Sequence, residues 1–125
     1  MNGEGVLLDS VILIDHFNGI DPATQFIIQN ADRMAISATT RAEVLSGFTE
    51  PALSKAKSLL NEIALIPIDT AIADLGATLR RIYKWKLPDA LQAAVATHYG
   101  LALATRNTKD FSPDEHAFVH VPYSL

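Results

Sequence analysis

Short apolar runs alternate along this chain with longer segments of helical periodicity. The runs that have the length of a buried strand are residues 6–8, 34–37, 101–104 and 118–121. Between them, apolar residues recur at helical spacing, most clearly at Ile72, Leu75, Leu79 and Ile82. Strands that alternate with helices in this way predict an α/β fold, in which helices cover both faces of a central, mostly parallel sheet.

Local signals mark the ends of the predicted helices. The helices are predicted at residues 10–18, 22–31, about 40–48, 51–63, 69–82 and 87–99. Thr39 or Thr40 is expected to cap the third helix and Asp69 the fifth, and Gly100 is expected to end the sixth. Residues 65–68 contain Pro67 and therefore predict an edge strand or a connector.

Length and composition predict a single domain that spans residues 1–125. The hydrophobic fraction of 49% and the charged fraction of 19% are typical of a soluble globular protein. No apolar stretch approaches the roughly 18 residues that a membrane span requires. Residues 1–5 lack the basic start and apolar core of a signal peptide, so a cytoplasmic protein is expected. The absence of cysteine excludes disulfides and thiolate metal sites.

The charge balance bears on which partners the protein can have. A net charge of −4 argues against a general nucleic-acid-coating protein but leaves a nuclease possible. Positive residues remain in local groups, at Arg41, Arg80, Arg81, Lys84, Lys86, Arg106 and Lys109. Such groups more often form a solvated helix face than a binding surface.

Four acidic residues stand where an α/β fold gathers its side chains. Each follows a predicted strand or lies near the start of a predicted helix: Asp9, Glu43, Asp89 and Asp110. Taken singly, each has an ordinary explanation as a helix cap, a first-turn acid or a turn residue. In open α/β sheets, however, ligands collect at the carboxyl ends of the strands, where neighbouring carboxylates repel each other unless a cation lies among them. The four together predict a site for Mg²⁺ or Mn²⁺, and phosphate chemistry.

Four longer segments match a known family in their order and spacing. They are LLDSVILID (7–15), ISATTRAEVLSG (36–47), PDALQAAVA (88–96) and LATRNTKDF (103–111). Over essentially its whole length the chain therefore resembles the PIN-domain nucleases, specifically the VapC-type toxins of toxin–antitoxin pairs. The resemblance implies a three-layer α/β/α sandwich and a metal-dependent endoribonuclease. It also implies a homodimer that a small VapB-like antitoxin inhibits, by placing a basic side chain among the acids.

The resemblance also assigns roles by position. The expected metal-binding acids are Asp9, Glu43 and Asp89. Asp110 is the expected fourth acid, with Asn107 as the alternative at that place or as a group that positions metal or phosphate. Thr39 and Thr105 match polar positions that support the ligands. Ser10 stands where many relatives have Thr and Pro88 where many have a small polar residue, and neither change is expected to abolish activity.

The predicted reaction is hydrolysis of an RNA phosphodiester by a metal-activated water, with one or two ions. Arg41, Arg106 and Lys109 are the candidates for holding the RNA backbone. One alternative is a PIN-like module that binds RNA or a partner without cleaving. A second is a phosphotransfer domain of the receiver or dehalogenase type, but these need adjacent acids or Asp-x-Asp after the first strand, and Asp9-Ser10-Val11 has neither.

Overall fold

The computed structural model describes residues 5–125 of the chain. Residues 1–4, on which the expectation about a signal peptide largely rests, lie outside the described residues. Within the described range, no helix is both long enough and apolar enough to cross a membrane.

Five strands form one parallel sheet in the order β3-β2-β1-β4-β5. Their bounds are β1 (Val6–Leu8), β2 (Met34–Ser37), β3 (Ala64–Ile66), β4 (Ala102–Ala104) and β5 (Val119–His120). The chain builds outward from β1 in one direction through β2 and β3, and then in the other through β4 and β5. The order therefore reverses between β1 and β4, which is where ligands bind in open α/β sheets.

Six helices cover the two faces of the sheet. Their bounds are α1 (Ser10–Phe17), α2 (Asp21–Gln29), α3 (Ala38–Ser46), α4 (Ala52–Leu60), α5 (Thr70–Tyr83) and α6 (Leu87–Tyr99). Because side chains alternate along a strand, Val6 and Leu8 pack into the core beneath α1–α4, while Leu7 packs into the core beneath α5 and α6. The predicted α/β/α sandwich is confirmed.

Most predicted element ends agree with the structure, and one cap was wrong. The Asp69 carboxylate caps α5 by accepting a hydrogen bond from Ile72 N, and Gly100 ends α6 with a φ of 65°. At the sheet edge, β3 stops before Pro67. The cap of α3 is Ser37 rather than Thr39 or Thr40, since its hydroxyl accepts from Thr40 N. The helix therefore begins at Ala38, which moves Glu43 from the expected first turn to the second.

Candidate active site

The site is built at the carboxyl ends of the central strands. Asp9 follows β1 directly and Thr105 follows β4, so the point where the strand order reverses brings the two side chains together. The backbone N–H of Asp9 donates to the carbonyl of Ala104 at 3.0 Å, which extends the pairing of the two strands by one residue. Ser37, the last residue of β2, is fully buried beside them.

Asp9 forms the floor of the site, and only 6% of its surface is exposed. Its Oδ1 accepts hydrogen bonds from Ser10 N at 2.9 Å and from Gln92 Nε2 at 3.2 Å. Its Oδ2 accepts from Thr105 Oγ1 at 2.7 Å. Hydrogen bonds to both oxygens hold the carboxylate in one orientation.

Gln92 ties three elements to that carboxylate. It lies on α6 one turn beyond Asp89, and its side chain is 1% exposed. Besides reaching Asp9, its Nε2 donates to Thr40 Oγ1 on α3 at 2.8 Å, and its Oε1 accepts a very short hydrogen bond from the hydroxyl of Ser37. Both polar atoms of the buried Gln92 amide therefore have hydrogen-bond partners, as buried polar groups require.

Glu43 and Asp89 both experience the negative charge of Asp9. The pKa of Glu43 is raised, mainly because the surrounding protein partly desolvates its carboxyl and then because Asp9 is negative, while a hydrogen bond with the Ser10 side chain acts in the opposite direction. Desolvation and the negative charges of Asp110, Asp9 and Glu43, in that order, raise the pKa of Asp89 to about 6, against a smaller opposing effect of Lys86. The fold therefore brings Asp89 within electrostatic reach of the other three predicted acids, and Glu43 within reach of Asp9.

Asp110 is held by its own loop. The Asn107 backbone N–H donates to Thr105 Oγ1 at 2.9 Å, and Asn107 Nδ2 donates to Asp110 Oδ2 at 3.2 Å. The Trp85 indole N–H donates to the Asp110 carbonyl at 2.9 Å. Asn107 and Asp110 are therefore a hydrogen-bonded pair that connects, through Thr105, to Asp9.

The donor set fits a hydrated divalent cation. Among residues 5–125, no three His, Cys, Asp or Glu side chains are already assembled in metal-ligating geometry. Mg²⁺ does not require such a cage, because it keeps several waters and binds through one or two carboxylates. The ligands are oxygens. Desolvation and then the negative charges of the neighbouring acids raise the pKa of Asp89, and a cation among the acids would offset that repulsion.

Comparison with known proteins identifies the family. The model of the PIN domain matches residues 6–112 of the chain. The chain belongs to the PIN-domain family. It is 29% identical over 114 residues to Ribonuclease VapC19 of Mycobacterium tuberculosis. The match covers 84% of this chain and 90% of that protein.

Solved structures show the same relationship in three dimensions. A chain of a toxin–antitoxin complex from Klebsiella pneumoniae superposes with a TM-score of 0.89 at 37% identity, covering 97% of this chain and 100% of that one. A chain of FitAcB from Neisseria gonorrhoeae, at 22% identity, shares the fold with a TM-score of 0.78 over 96% of this chain and 99% of its own.

Within this PIN domain, some predicted site residues lie elsewhere or have other partners. Thr40, not Thr39, joins the polar network through Gln92, and no hydrogen bond within the described range links Thr39 to the four acids. Arg41 is partly buried and donates a hydrogen bond to the Asn61 side chain, at the end of α4, at 2.9 Å. Lys109 is exposed in the loop that carries Asp110.

Arg106, a candidate RNA ligand, forms a salt bridge inside the PIN domain. Its Nε and a terminal nitrogen donate to the two carboxylate oxygens of Asp15 at 2.6 and 2.9 Å, and the hydroxyl of Tyr123 donates to the same carboxylate at 2.8 Å. The bonds from Arg106 lower the pKa of Asp15, against the opposing effect of burial. These contacts make Arg106 a structural partner of Asp15.

The sequence analysis did not identify two residues that hold the site together, Gln92 and Asp15, although the sequence around each is unusual. Gln92 is a lone polar residue in the apolar stretch 90–96, three residues after Asp89 and so on the same helix face. Asp15 interrupts the apolar run 11–14 on α1. A buried polar residue needs hydrogen-bond partners, so a polar residue within an apolar stretch indicates a specific contact in the fold.

Proposed function

We propose that this protein is a metal-dependent endoribonuclease that acts as the toxin of a toxin–antitoxin pair. Its membership of the PIN-domain family and its relation to a ribonuclease support the proposal. The single observation that carries it is the Asp9 carboxylate, held at both oxygens at the reversal point of the sheet, with Asp89 within electrostatic reach of Asp9, Glu43 and Asp110.

In this proposal Asp9, Glu43 and Asp89 hold one Mg²⁺ or Mn²⁺, and Asp110 contributes through water. When bound, the ion stabilises the negative charge that develops on the phosphate and lowers the pKa of a bound water. Thr105 and Gln92 keep the carboxylate of Asp9 directed into the site.

Other residues of the chain position the remaining acids and the substrate. The Ser10 side chain orients Glu43 through their hydrogen bond, and Asn107 orients Asp110. Arg41 and Lys109 are the proposed contacts to the RNA backbone, where cations neutralise phosphates. Arg106 contributes indirectly, because its bond to Asp15 fixes the start of the loop that carries Asn107 and Asp110.

The proposed partners are a second copy of the chain and a VapB-like antitoxin. The solved chain that is 37% identical belongs to a complex described as toxin–antitoxin, which supports an antitoxin here. Desolvation, together with the negative charges of Asp110, Asp9 and Glu43, raises the pKa of Asp89 to about 6, and such a group of acids attracts a cationic side chain as well as a metal. An arginine from the antitoxin, inserted among these acids, would occupy the place of the ion and block cleavage.

The test is to replace single acids by their neutral isosteres. Asp9→Asn and Asp89→Asn are expected to lower cleavage of single-stranded RNA in Mg²⁺ by at least about 100-fold, since even groups that only support a metal ligand cost 10–100-fold. Asp32→Asn is the matched control, because Asp32 is exposed in the turn before β2, at the amino end of the strands. It is expected to cleave at the parental rate.

Metal binding is measured separately from cleavage, by following free Mn²⁺ with electron paramagnetic resonance during a titration. The parent and Asp32→Asn are expected to bind Mn²⁺, and Asp9→Asn and Asp89→Asn to bind it much more weakly. Parental cleavage by Asp9→Asn or Asp89→Asn would show that the site is assigned to the wrong residues. RNA left whole by the parent in Mn²⁺ would favour the alternative of a non-cleaving PIN-like module.

A further inference from the structure

Positive charge is concentrated in the segment that joins α5 to α6. Four of the ten Lys and Arg of this acidic chain lie between residues 80 and 86, and all four side chains are exposed: Arg80, Arg81, Lys84 and Lys86. None of them forms a salt bridge with any residue in the range 5–125. Arg81 donates a hydrogen bond to the hydroxyl of Thr78 at 3.4 Å, which leaves its charge uncompensated. Four positive charges so close together give this surface a local attraction for anions.

The backbone of this segment accounts for only two of the four cations. Arg80 and Arg81 lie in the last turn of α5, where the helix dipole favours cations, and this accounts for two of the four. Lys84 follows with a φ of 63°, a conformation that favours glycine and is strained for lysine. Lys86 is the N-cap of α6, where the dipole disfavours a cation.

These cations border a depression that is large enough for part of a ligand. Its volume is about 310 Å³, and it is lined by Arg80, Arg81, Lys84 and Trp85. Guanidinium groups of arginine bind phosphate oxygens in pairs of hydrogen bonds, and lysine adds a point charge. The chemistry of the depression therefore suits a phosphate.

An exposed aromatic ring stands beside the depression. The ring of Tyr83 is 46% exposed and stacks on that of Trp85, with 4.5 Å between centroids and 20° between planes. Trp85 is itself 7% exposed and packs edge-on against Phe111 at 5.1 Å. Tyr83 is therefore a rigidly supported aromatic surface among cations, the combination by which proteins bind single-stranded nucleic acid.

This surface adjoins the acid cluster. Trp85, which supports Tyr83, donates its indole N–H to the carbonyl of Asp110. Lys86 caps the helix whose first turn contains Asp89. The segment 80–86 is therefore next to the acids, on the path open to RNA that flanks a phosphate bound there.

We propose that Arg80, Arg81 and Lys84, together with the exposed ring of Tyr83, bind the single-stranded RNA that flanks the bond to be cleaved. The inference rests on the proposed function, because only an RNA bound at the acids brings a flanking strand to this surface. The three cations contact phosphates, and the ring of Tyr83 stacks on a base. Contacts of this kind add affinity without selecting a base sequence.

The test measures RNA binding and cleavage with paired variants. Arg80→Gln/Arg81→Gln removes two charges from the surface, and Lys55→Gln/Lys57→Gln removes two exposed charges from α4 as the control. Binding of a fluorescein-labelled, mixed-sequence single-stranded RNA is followed by anisotropy over a range of salt concentrations, with Ca²⁺ in place of Mg²⁺ so that a hard cation is present at the acids while cleavage is suppressed. The Arg variant is expected to bind about tenfold more weakly, with the slope of log K against log salt smaller by about 1.4, since each phosphate contact to a single strand contributes about 0.7. The control is expected to change binding by no more than about twofold.

Two further measurements separate the roles of charge and ring. Tyr83→Leu keeps an apolar cover over Trp85 but removes the stacking surface, and we expect it to weaken binding by about fivefold or more without changing the salt slope. In cleavage assays with Mg²⁺, Arg80→Gln/Arg81→Gln is expected to raise KM, because the surface binds substrate rather than the reacting phosphate.

Three results would overturn the inference, and each leads to a different conclusion about the surface. If the parent cleaves RNA and Arg80→Gln/Arg81→Gln binds it as tightly as the parent, the inference fails and the proposed function stands. If the Arg variant keeps parental RNA affinity but loses dimerisation or binding of an acidic partner protein, the surface serves protein contacts instead. If the parent neither binds nor cleaves RNA, the proposed function fails and this inference fails with it.

Discussion

Gln92 shows how one buried side chain fixes the geometry of the acids. Its amide joins Asp9 on the first strand end to Thr40 and Ser37 at the start of α3, while Asp89 projects from the same face of α6 one turn earlier. An amide supplies both donors and an acceptor, so no apolar residue of similar volume satisfies all three partners. We infer that Gln92 positions the site without touching substrate.

The prediction at this scale concerns Gln92→Leu. It leaves Asp9, Thr40 and Ser37 short of hydrogen bonds in a dry environment, so it is expected to lower the free energy of unfolding by about 1–3 kcal/mol. It is also expected to lower RNA cleavage by about 10–100-fold, because Asp9 loses a partner that orients it.

Urea unfolding and RNA cleavage check that prediction against Gln25→Leu, which makes the same change at an exposed position of α2. Gln25→Leu is expected to change stability by less than about 0.5 kcal/mol and cleavage not at all. Parental cleavage by a folded Gln92→Leu would remove Gln92 from the set of positioning residues.

At the scale of elements, the loop after β4 is held at both ends. At its start Arg106 bonds to Asp15 of α1, and Tyr123 near the C-terminus bonds to the same carboxylate. At its far end Trp85 bonds to the carbonyl of Asp110. The loop that carries Asn107 and Asp110 is thereby fixed to both helical layers, which keeps the fourth acid near the other three.

Arg106→Gln tests that attachment. Asp15 is 6% exposed, and removing its partner leaves a buried charge, so the free energy of unfolding is expected to fall by about 2–3 kcal/mol at pH 7. Because pairing lowers the pKa of Asp15 below its ordinary value of 3.8, the stabilisation is complete above that pH and is lost as the pH falls below it. The parent and Arg106→Gln should therefore approach each other in stability in acid.

The measurement is urea unfolding at several pH values, with Arg41→Gln as the control, because Arg41 donates to the neutral side chain of Asn61. Arg41→Gln is expected to cost less than about 1 kcal/mol. Asp15→Asn/Arg106→Gln is expected to recover part of the stability that Arg106→Gln loses, because it removes the unpaired charge. A difference between parent and Arg106→Gln that does not change with pH would contradict this account.

At the scale of the whole molecule, two apolar cores share one thin sheet. Leu7 contributes to the core beneath α5 and α6, and its neighbour Leu8 to the core beneath α1–α4. The strands have only two to four residues, so their pairing depends on packing at both faces and the two cores are expected to unfold together. This is the physical content of the prediction that residues 1–125 form a single domain.

Leu8→Ala tests this cooperativity with a built-in reporter. The fluorescence of Trp85, the chain's single tryptophan, reports on the opposite core. The substitution is expected to lower the free energy of unfolding by about 3 kcal/mol and to move the transitions seen by Trp85 fluorescence and by far-UV circular dichroism together. Ile28→Ala, at a side chain that is 61% exposed, should leave both unchanged. A Trp85 transition that stays at its parental midpoint would show two independent units.

Short stretches of sequence were sufficient to predict most of the strands and helices. Apolar runs gave the strands, Asp69 and Gly100 gave two helix ends, and Pro67 gave the edge strand, because each depends on a few neighbouring residues. The prediction of the cap of α3 was wrong, because Ser37, Thr39 and Thr40 all have hydroxyls and only the backbone decides which of them lies at the N-cap position.

The sequence also determined which acids to consider, because order and flanking residues are properties of the chain itself. Only the tertiary structure decided what surrounds them. Gln92 reaches Asp9 across 83 positions and Arg106 reaches Asp15 across 91, and no local pattern specifies such pairs. Packing chooses them, since a buried polar group takes whichever partner the folded chain brings within reach. That is why Arg106, a candidate for RNA, is bound to Asp15, while the four exposed cations at residues 80–86 form no salt bridge with any residue in the range 5–125.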